Sequence, residues 1–300
     1  MKILVVSGFL GAGKTTFIEN LIKKENRDIV VLENEYGEVG IDGDLLKKED
    51  INIWEMTEGC ICCSMESNFA NSVLTISNTV SPEFLIVEPT GVGYLSSVMN
   101  NIKKVEYDRI NILEPITIVD ATSVDRYLEE FRDIFIDQIE NSRRIVISKV
   151  SAVDKEKIIE IKSLIHNINE KAQIFSEEYE IYDDIWWESI LDQMWNGSNL
   201  QIKEDKNSLG IENIGFTGLE FDDLNKFQEY MSAVMRGRFG NVVRAKGFLP
   251  INGVWAKIDI VDKTYTLVES EVMSESKLIL IGKNLKKEEL KILFGNKNKK

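Results

Sequence analysis

Short apolar runs without polar alternation recur along the first part of the chain, at residues 3–6, 29–32, 51–54, 84–87, 116–119 and 145–147. Runs of this kind, rich in Ile and Val, suit strands covered on both faces. Between them the spacing turns helical. Phe17, Leu21 and Ile22 share one face of one stretch, and Ile158, Ile161, Ile165 and Ile168 share one face of another. Alternation of strand and helix predicts an α/β fold, an open and mostly parallel sheet flanked by helices, over residues 1–175.

The texture changes over residues 176–207. Glu177, Glu178, Glu180, Asp183 and Asp184 are followed by Trp186, Trp187 and Trp195 and then by polar Asn-Gly-Ser-Asn. This reads as an acidic connector. Within it Trp187, Ile190, Leu191 and Met194 form a helical stripe, suited to packing on the first domain or to docking a client protein. From residue 208 to 295 strands are expected near 215–221, 242–249, 254–260, 265–268 and 278–281. A helix carries Leu224, Phe227, Met231 and Val234 on one side, and another runs near 286–294. Strands in succession beside helices predict a smaller α+β domain, and residues 296–300 read as a solvated basic tail.

Charge narrows the function classes. Thirty-six Lys and Arg stand against 50 Asp and Glu, a formal net charge of −14. Such a surface repels phosphate backbones and anionic lipid, so neither a nucleic acid nor a membrane is an expected partner. A local cradle can still hold a nucleotide, and an acidic surface suits a protein that meets cations. The apolar run at residues 3–6 is too short for a signal-peptide core, and a cytoplasmic, reducing location is expected.

The sharpest motif is Gly8-Phe-Leu-Gly11-Ala12-Gly13-Lys14-Thr15, followed by Thr16. It fits G-x-x-x-x-G-K-[ST] and lies between a strand and a helix, as a P-loop must. Its glycines let backbone N–H groups curl around a phosphate, and the helix N-terminus adds its dipole. Lys14 is placed to reach the β- and γ-phosphates, and Thr15 to offer its hydroxyl to Mg²⁺. A second apolar strand ends in a carboxylate, Phe84-Leu-Ile-Val-Glu88-Pro-Thr-Gly91. Glu88 is the candidate second Mg²⁺ holder, and the Gly91 N–H a candidate γ-phosphate donor.

Between these motifs lie a Gly-punctuated acidic loop, residues 33–44, and the cluster Cys60-Ile-Cys62-Cys63, which holds all three cysteines of the chain. An odd cluster so tight cannot be a disulfide framework. Thiolates at this spacing can converge on one soft or borderline cation, Zn²⁺ or Cu⁺, leaving a fourth position for Glu35, Glu38, water or a partner's ligand. Buried apolar cysteines and a redox pair are the competing readings.

Together, residues 8–16, the Asn34-Glu35-Tyr-Gly-Glu-Val-Gly loop, Cys60-x-Cys62-Cys63 and Glu88-Pro-Thr-Gly91 resemble the CobW-type metallochaperone GTPases, relatives of the urease and hydrogenase nickel-insertion GTPases. The resemblance continues through Arg244-Ala-Lys-Gly-Phe-Leu and Leu278-Ile-Leu-Ile-Gly282. It implies a P-loop NTPase domain, slow Mg²⁺-dependent hydrolysis of GTP, and delivery of Zn²⁺, Co²⁺ or a similar metal to a client metalloprotein. It is compatible with a nucleotide-dependent homodimer. On this reading Cys60, Cys62, Cys63 and Glu35 hold the transition metal, Lys14, Thr15 and Glu88 act on the phosphates and Mg²⁺, and Glu38 or Asp42 orients the attacking water.

Two departures from the family pattern matter. The family reads guanine with Asn-Lys-x-Asp, and the matching residues here are Ser148, Lys149, Val150 and Ser151. A serine hydroxyl cannot accept from guanine N1–H and N2–H₂ as a carboxylate does, a loss on the order of 1.5–3 kcal/mol. Weak base discrimination or use of ATP therefore stays open, and Asp154 lies three residues too far along to be assumed a substitute. The other departure is histidine: the single His166 sits on an amphipathic helix, which leaves Cys and carboxylate for any metal site. A small-molecule P-loop kinase leaves the cysteines unexplained. A non-catalytic metal-binding switch accommodates them.

Overall fold

The computed structural model describes residues 1–25, 27–34, 52–56, 66–107, 109–197, 200, 211–261 and 264–295. These divide into two compact units, residues up to 200 and residues 211–295, each taken by itself below.

The first unit is built on a parallel sheet of β1 (Lys2–Gly8), β2 (Ile29–Asn34), β3 (Asn52–Met56), β4 (Phe84–Glu88), β5 (Asn111–Ile112), β6 (Ile116–Asp120), β7 (Arg144–Ser148) and β8 (Gln173–Phe175). The strand order is β3-β2-β4-β1-β6-β7-β8, with β5 also pairing β1. Side chains alternate across β1. Ile3 and Val5 pack with Leu95, Val98, Met99 and Ile102 of α3 (Leu95–Lys103). Leu4 and Val6 pack on the other face with Phe17, Ile18 and Leu21 of α1 (Lys14–Lys24). Both faces are apolar because both are covered, which is why β1 reads as an unbroken apolar run. Each such side chain, fully buried, contributes about 1.5–3 kcal/mol. The remaining helices of the unit are α2 (Glu66–Thr79), α4 (Val124–Glu130), α5 (Arg132–Glu140), α6 (Lys155–Ile168) and α7 (Asp184–Asp192).

Helix α7 lies in the stretch that the sequence suggests as a connector. It is capped by Asp183, whose carboxylate accepts from the Trp186 N–H at 2.9 Å. Trp187, Ile190 and Leu191 are buried against α1 in the first unit's core, with the Trp187 ring 5.5 Å from Phe17. Three positions of the apolar stripe thus pack into the core of the first unit, while Met194 is 46% exposed. Among the described residues no helix is long and apolar enough to cross a membrane.

The second unit is an antiparallel sheet of β9 (Ile211–Thr217), β10 (Asn241–Ile251), β11 (Val254–Val261), β12 (Thr264–Glu269) and β13 (Lys277–Lys283), in the order β12-β11-β10-β13-β9. Phe227, Met231 and Val234 of α8 (Leu224–Met235) and Leu290 and Phe294 of α9 (Lys287–Gly295) close over one face. The first strand of this unit starts and ends about four residues earlier than the apolar pattern suggests. Gly218, at φ +68°, turns the chain out of β9, and Phe221 instead packs its ring 5.3 Å from Phe227.

Truncation of Trp187 tests the assignment of α7 to the first unit. Trp187→Ala is expected to cost about 3–5 kcal/mol in denaturant unfolding, whereas Ile185→Ala on the exposed side of the same helix should change stability by under about 0.5 kcal/mol.

Candidate functional site

All strands of the first unit run parallel, so their carboxyl ends share one edge, the edge at which ligands of open α/β sheets bind. The P-loop leaves β1 there. Gly8, Gly11 and Gly13 take φ values of +142°, +73° and +94°, and Gly13 caps α1 without a side-chain hydrogen bond. The α1 N-terminus therefore presents its backbone N–H groups outward, ready for an anion. The residues between the glycines fasten the loop. Phe9, Leu10 and Ala12 are buried, and the Phe9 ring lies 4.4 Å from Tyr127 of α4 and 4.8 Å from Phe131. The Tyr127 hydroxyl donates to the Leu10 carbonyl at 3.4 Å. Burial, reinforced by the nearby Asp120 charge, pushes the Tyr127 phenol far above its usual pKa, so it stays a donor.

Glycine 91 decides how closely the next loop approaches. A Cβ there would stand 2.4 Å from the Leu10 nitrogen and 2.6 Å from the Phe9 carbonyl carbon. The loop after β4 thus lies directly on the P-loop backbone. Gln138 of α5 braces it from behind by donating to the Gly91 and Gly93 carbonyls at 3.4 and 3.3 Å.

The reacting end of the cradle follows from this packing. Lys14 is only 5% exposed. Its Nζ donates to the Phe9 carbonyl at 3.3 Å and lies 3.8 Å from Glu88 Oε1. Thr15 Oγ1 lies 3.2 Å from Glu88 Oε1 and 3.1 Å from Oε2. One ammonium, one hydroxyl and one carboxylate therefore converge beside the open amides of α1, with Thr16 exposed one residue further on. Hydroxyl and carboxylate oxygens are the hard donors that Mg²⁺ takes, usually few in number and completed by water and phosphate. The residues present fit that ion.

On the other side of β1 the tip of β7 supports the loop. Ser148 Oγ donates to the Ala12 carbonyl at 2.7 Å, so this serine braces the P-loop itself. Lys149 takes the left-handed conformation, φ +54°, rare for a non-glycine residue and concentrated at functional sites. Its Nζ is fixed to Asp120 Oδ2 at 2.6 Å. Asp120 is 1% exposed and also accepts from the Thr122 N–H and hydroxyl at 2.9 and 2.6 Å. The Ser151 N–H donates to Glu178 Oε1 at 3.1 Å. Asp154 is engaged elsewhere: it caps α6, accepting from the Lys157 N–H at 2.8 Å.

Of the residues singled out from sequence, the structure brings Gly8, Gly11, Ala12, Gly13, Lys14, Thr15, Thr16, Glu88 and Gly91 together at one edge. Ser148 touches the same loop, Lys149 follows it, and Ser151 stands further out in a short 3₁₀ turn, Val150–Ala152. Cys60, Cys62, Cys63, Glu35, Glu38 and Asp42 lie outside the described residues. Among the described residues no group of three or more His, Cys, Asp or Glu is arranged to hold a metal, and His166 is exposed. Sequence reasoning missed Asp120, Tyr127, Gln138 and Glu178. Asp120 ends an apolar strand just as Glu88 does, a signal that could have found it. The others carry no signal in local pattern.

This edge carries the P-loop of a nucleotide-binding domain. Residues 2–176 match the nucleotide-binding domain of CobW/HypB/UreG, and residues 212–296 match the cobalamin synthesis protein cobW C-terminal domain. The chain belongs to the CobW/HypB/UreG family. It is 35% identical over 138 residues to the zinc chaperone YeiR of Escherichia coli, a match covering 43% of this chain and 42% of that one. It is 24% identical to the zinc chaperone YjiA of Escherichia coli, over 100% of this chain and 99% of that one. The chain thus spans less than half of YeiR but nearly the whole of YjiA. The crystal structure of Zn(II)-bound YjiA GTPase from E. coli aligns at 20% identity with a TM-score of 0.49, covering 100% of this chain and 99% of that one.

Adding one methyl group tests the backbone packing. Gly91→Ala is expected to displace the P-loop and cost about 1–3 kcal/mol of stability, as overpacking does. Gly253→Ala, whose added Cβ meets nothing within 4 Å but sits at φ +76°, is expected to leave nucleotide binding unchanged. Calorimetry with Mg²⁺–GDP and denaturant unfolding check the pair.

Proposed function

We propose that this protein is a nucleotide-dependent metallochaperone, which binds GTP with Mg²⁺, hydrolyses it slowly to GDP and phosphate, and couples the nucleotide state to a divalent metal held by Cys60, Cys62 and Cys63. The observation that carries the nucleotide half is the meeting of Thr15 with both Glu88 oxygens beside buried Lys14. The Cys-x-Cys-Cys motif and the zinc chaperones among the relatives support the metal half. Those relatives favour zinc as cargo, with cobalt the second candidate.

In the proposed reaction, water attacks the γ-phosphorus and the bond to the β–γ bridging oxygen breaks, leaving GDP and phosphate. Lys14 and the loop amides offset charge developing on the transferred group and on the leaving oxygen. Thr15 and Glu88 hold Mg²⁺, which would supply positive charge to the β- and γ-phosphate oxygens. The Gly91 N–H is the γ-phosphate donor of the neighbouring loop. Glu38 or Asp42 orients the water. Hydrolysis without an arginine from a partner is expected to be slow.

The topology favours coupling. Chain leaves β2 at Asn34 and β3 at Met56, and both ends lie on the sheet edge that carries the P-loop. Glu33 is the register neighbour of Glu88. In the chain the acidic loop follows the end of β2, next to β4, and the cysteine motif follows the end of β3, one strand further out, so an ordered triphosphate on this edge can bias both. A client metalloprotein receives the metal in this reading. A small-molecule kinase leaves the cysteines without a role.

Two sets of variants test the proposal. Glu88→Gln is expected to lower the rate of phosphate release from Mg²⁺–GTP by about 100-fold or more, given the size of such charge-stabilising terms, while leaving Zn²⁺ stoichiometry unchanged. Replacing Cys60, Cys62 and Cys63 by Ser is expected to abolish high-affinity Zn²⁺ binding while GDP binding persists. Phosphate release that is negligible in the unaltered chain, with Zn²⁺ present, would contradict the hydrolase reading, and Zn²⁺ binding that survives loss of the cysteines would contradict the metal site.

A further inference from the structure

The nucleotide site raises a question of base recognition. Thr15, Lys14 and Glu88 mark the terminal-phosphate end of the cradle, on the β4 side of β1. The nucleoside then lies on the opposite side, over the carboxyl ends of β6, β7 and β8. Gly13 adjoins this side: a Cβ there would stand 3.8 Å from the Ser148 side chain. Ser148 is occupied by the Ala12 carbonyl, and Ser151 offers no charge. Asp154 is spent on capping α6.

One carboxylate does reach this place. Glu178 follows β8, and its Oε1 accepts from the Ser151 N–H at 3.1 Å. Its second oxygen accepts no hydrogen bond among the described residues. Its backbone is held in place rather than free. Glu178 caps the 3₁₀ turn Tyr179–Ile181, and its carbonyl accepts from the Ile181 N–H at 3.0 Å. The next residue, Tyr179, stacks edge-on to Phe17 at 5.9 Å and to Trp187 at 6.0 Å. Lys149, its ammonium fixed on Asp120, offers an aliphatic stem at the start of the Val150–Ala152 turn that carries Ser151.

We propose that Glu178, held on the Ser151 N–H, supplies the carboxylate that reads the Watson–Crick edge of guanine in this chain. The inference rests on the nucleotide reading above and adds its base selectivity. Guanine presents two adjacent donors, N1–H and N2–H₂, which a carboxylate accepts together. Adenine presents an acceptor at N1, which a carboxylate repels. Xanthine keeps N1–H but replaces the 2-amino donor with a 2-oxo acceptor, which a neutral amide can satisfy and a carboxylate cannot.

The test is calorimetric binding of GDP, ADP and XDP with Mg²⁺ to the full chain, unaltered and as Glu178→Ala and Glu178→Gln. The unaltered chain is expected to prefer GDP over ADP by tenfold or more. Glu178→Ala should weaken GDP about 10- to 100-fold, the cost of a lost charge-assisted contact, while ADP binds no more weakly than to the unaltered chain, which doubles as the control for folding. Glu178→Gln should weaken GDP and strengthen XDP, a swap that a purely structural role for Glu178 does not produce. Equal binding of GDP and ADP by the unaltered chain, or a GDP-to-ADP ratio unmoved by Glu178→Ala, overturns the assignment while the P-loop reading stands. Failure of the unaltered chain to bind any of the three overturns the nucleotide reading and this one with it.

Discussion

The whole site depends on how closely three backbones meet at one edge of the parallel sheet. The P-loop is pressed on one side by the loop at Gly91, where no side-chain carbon fits. On the other it is bound by Ser148 to the tip of β7. At its root Gly8 faces the Ile118 carbonyl, which a Cβ would approach to 2.4 Å. Protein interiors transmit displacements because they are close-packed. A loop so confined has little room to relax, and its amides are set before a phosphate arrives. That preorganisation gives Lys14, Thr15 and Glu88 a common focus.

The electrostatics are arranged against the global field. A net charge of −14 repels a triphosphate at long range, so in the proposed function affinity comes from local donors: the α1 amides, Lys14 and a divalent cation held with the nucleotide. The same acidic surface draws metal ions inward. In the proposed function both ligands are handled on one edge of one sheet. The strands that precede the acidic loop and the cysteine motif in the chain, β2 and β3, end on that edge, with Glu33 of β2 beside Glu88 and β3 one strand further out.

Much of this was legible in the sequence because the physics is local. The unbroken Ile and Val runs announce strands covered on both faces, and the Gly-Lys-Thr run announces its own loop because few other residues tolerate those backbone angles. The strand-end carboxylate Glu88 was legible for the same reason. What stayed hidden depends on tertiary contact. Helix α7 reads as part of an acidic connector because Asp and Glu surround it, and although its Trp187, Ile190 and Leu191 stripe suits packing on the first domain, only the tertiary contact with Phe17 fixes that choice. Ser148 reads as a candidate nucleotide contact at the family's Asn position, but its hydroxyl braces the P-loop. Glu178 is one carboxylate among several in an acidic run, and only its meeting with the Ser151 N–H, 27 positions away in the chain, singles it out. The early end of β9 turns on the φ of Gly218, which composition alone does not set.

The central claim is that nucleotide state governs metal affinity. The most direct measurement is competitive Zn²⁺ titration of the full chain, saturated with Mg²⁺ and either a non-hydrolysable GTP analogue or GDP. The account predicts Zn²⁺ affinities that differ between the two states by at least about fivefold, the lower end of coupling energies between linked sites. By linkage, loading with zinc should change the preference of the chain for the analogue over GDP by the same ratio. Equal Zn²⁺ affinity in the two states would contradict the account, leaving a nucleotide site and a metal motif on one chain without communication between them.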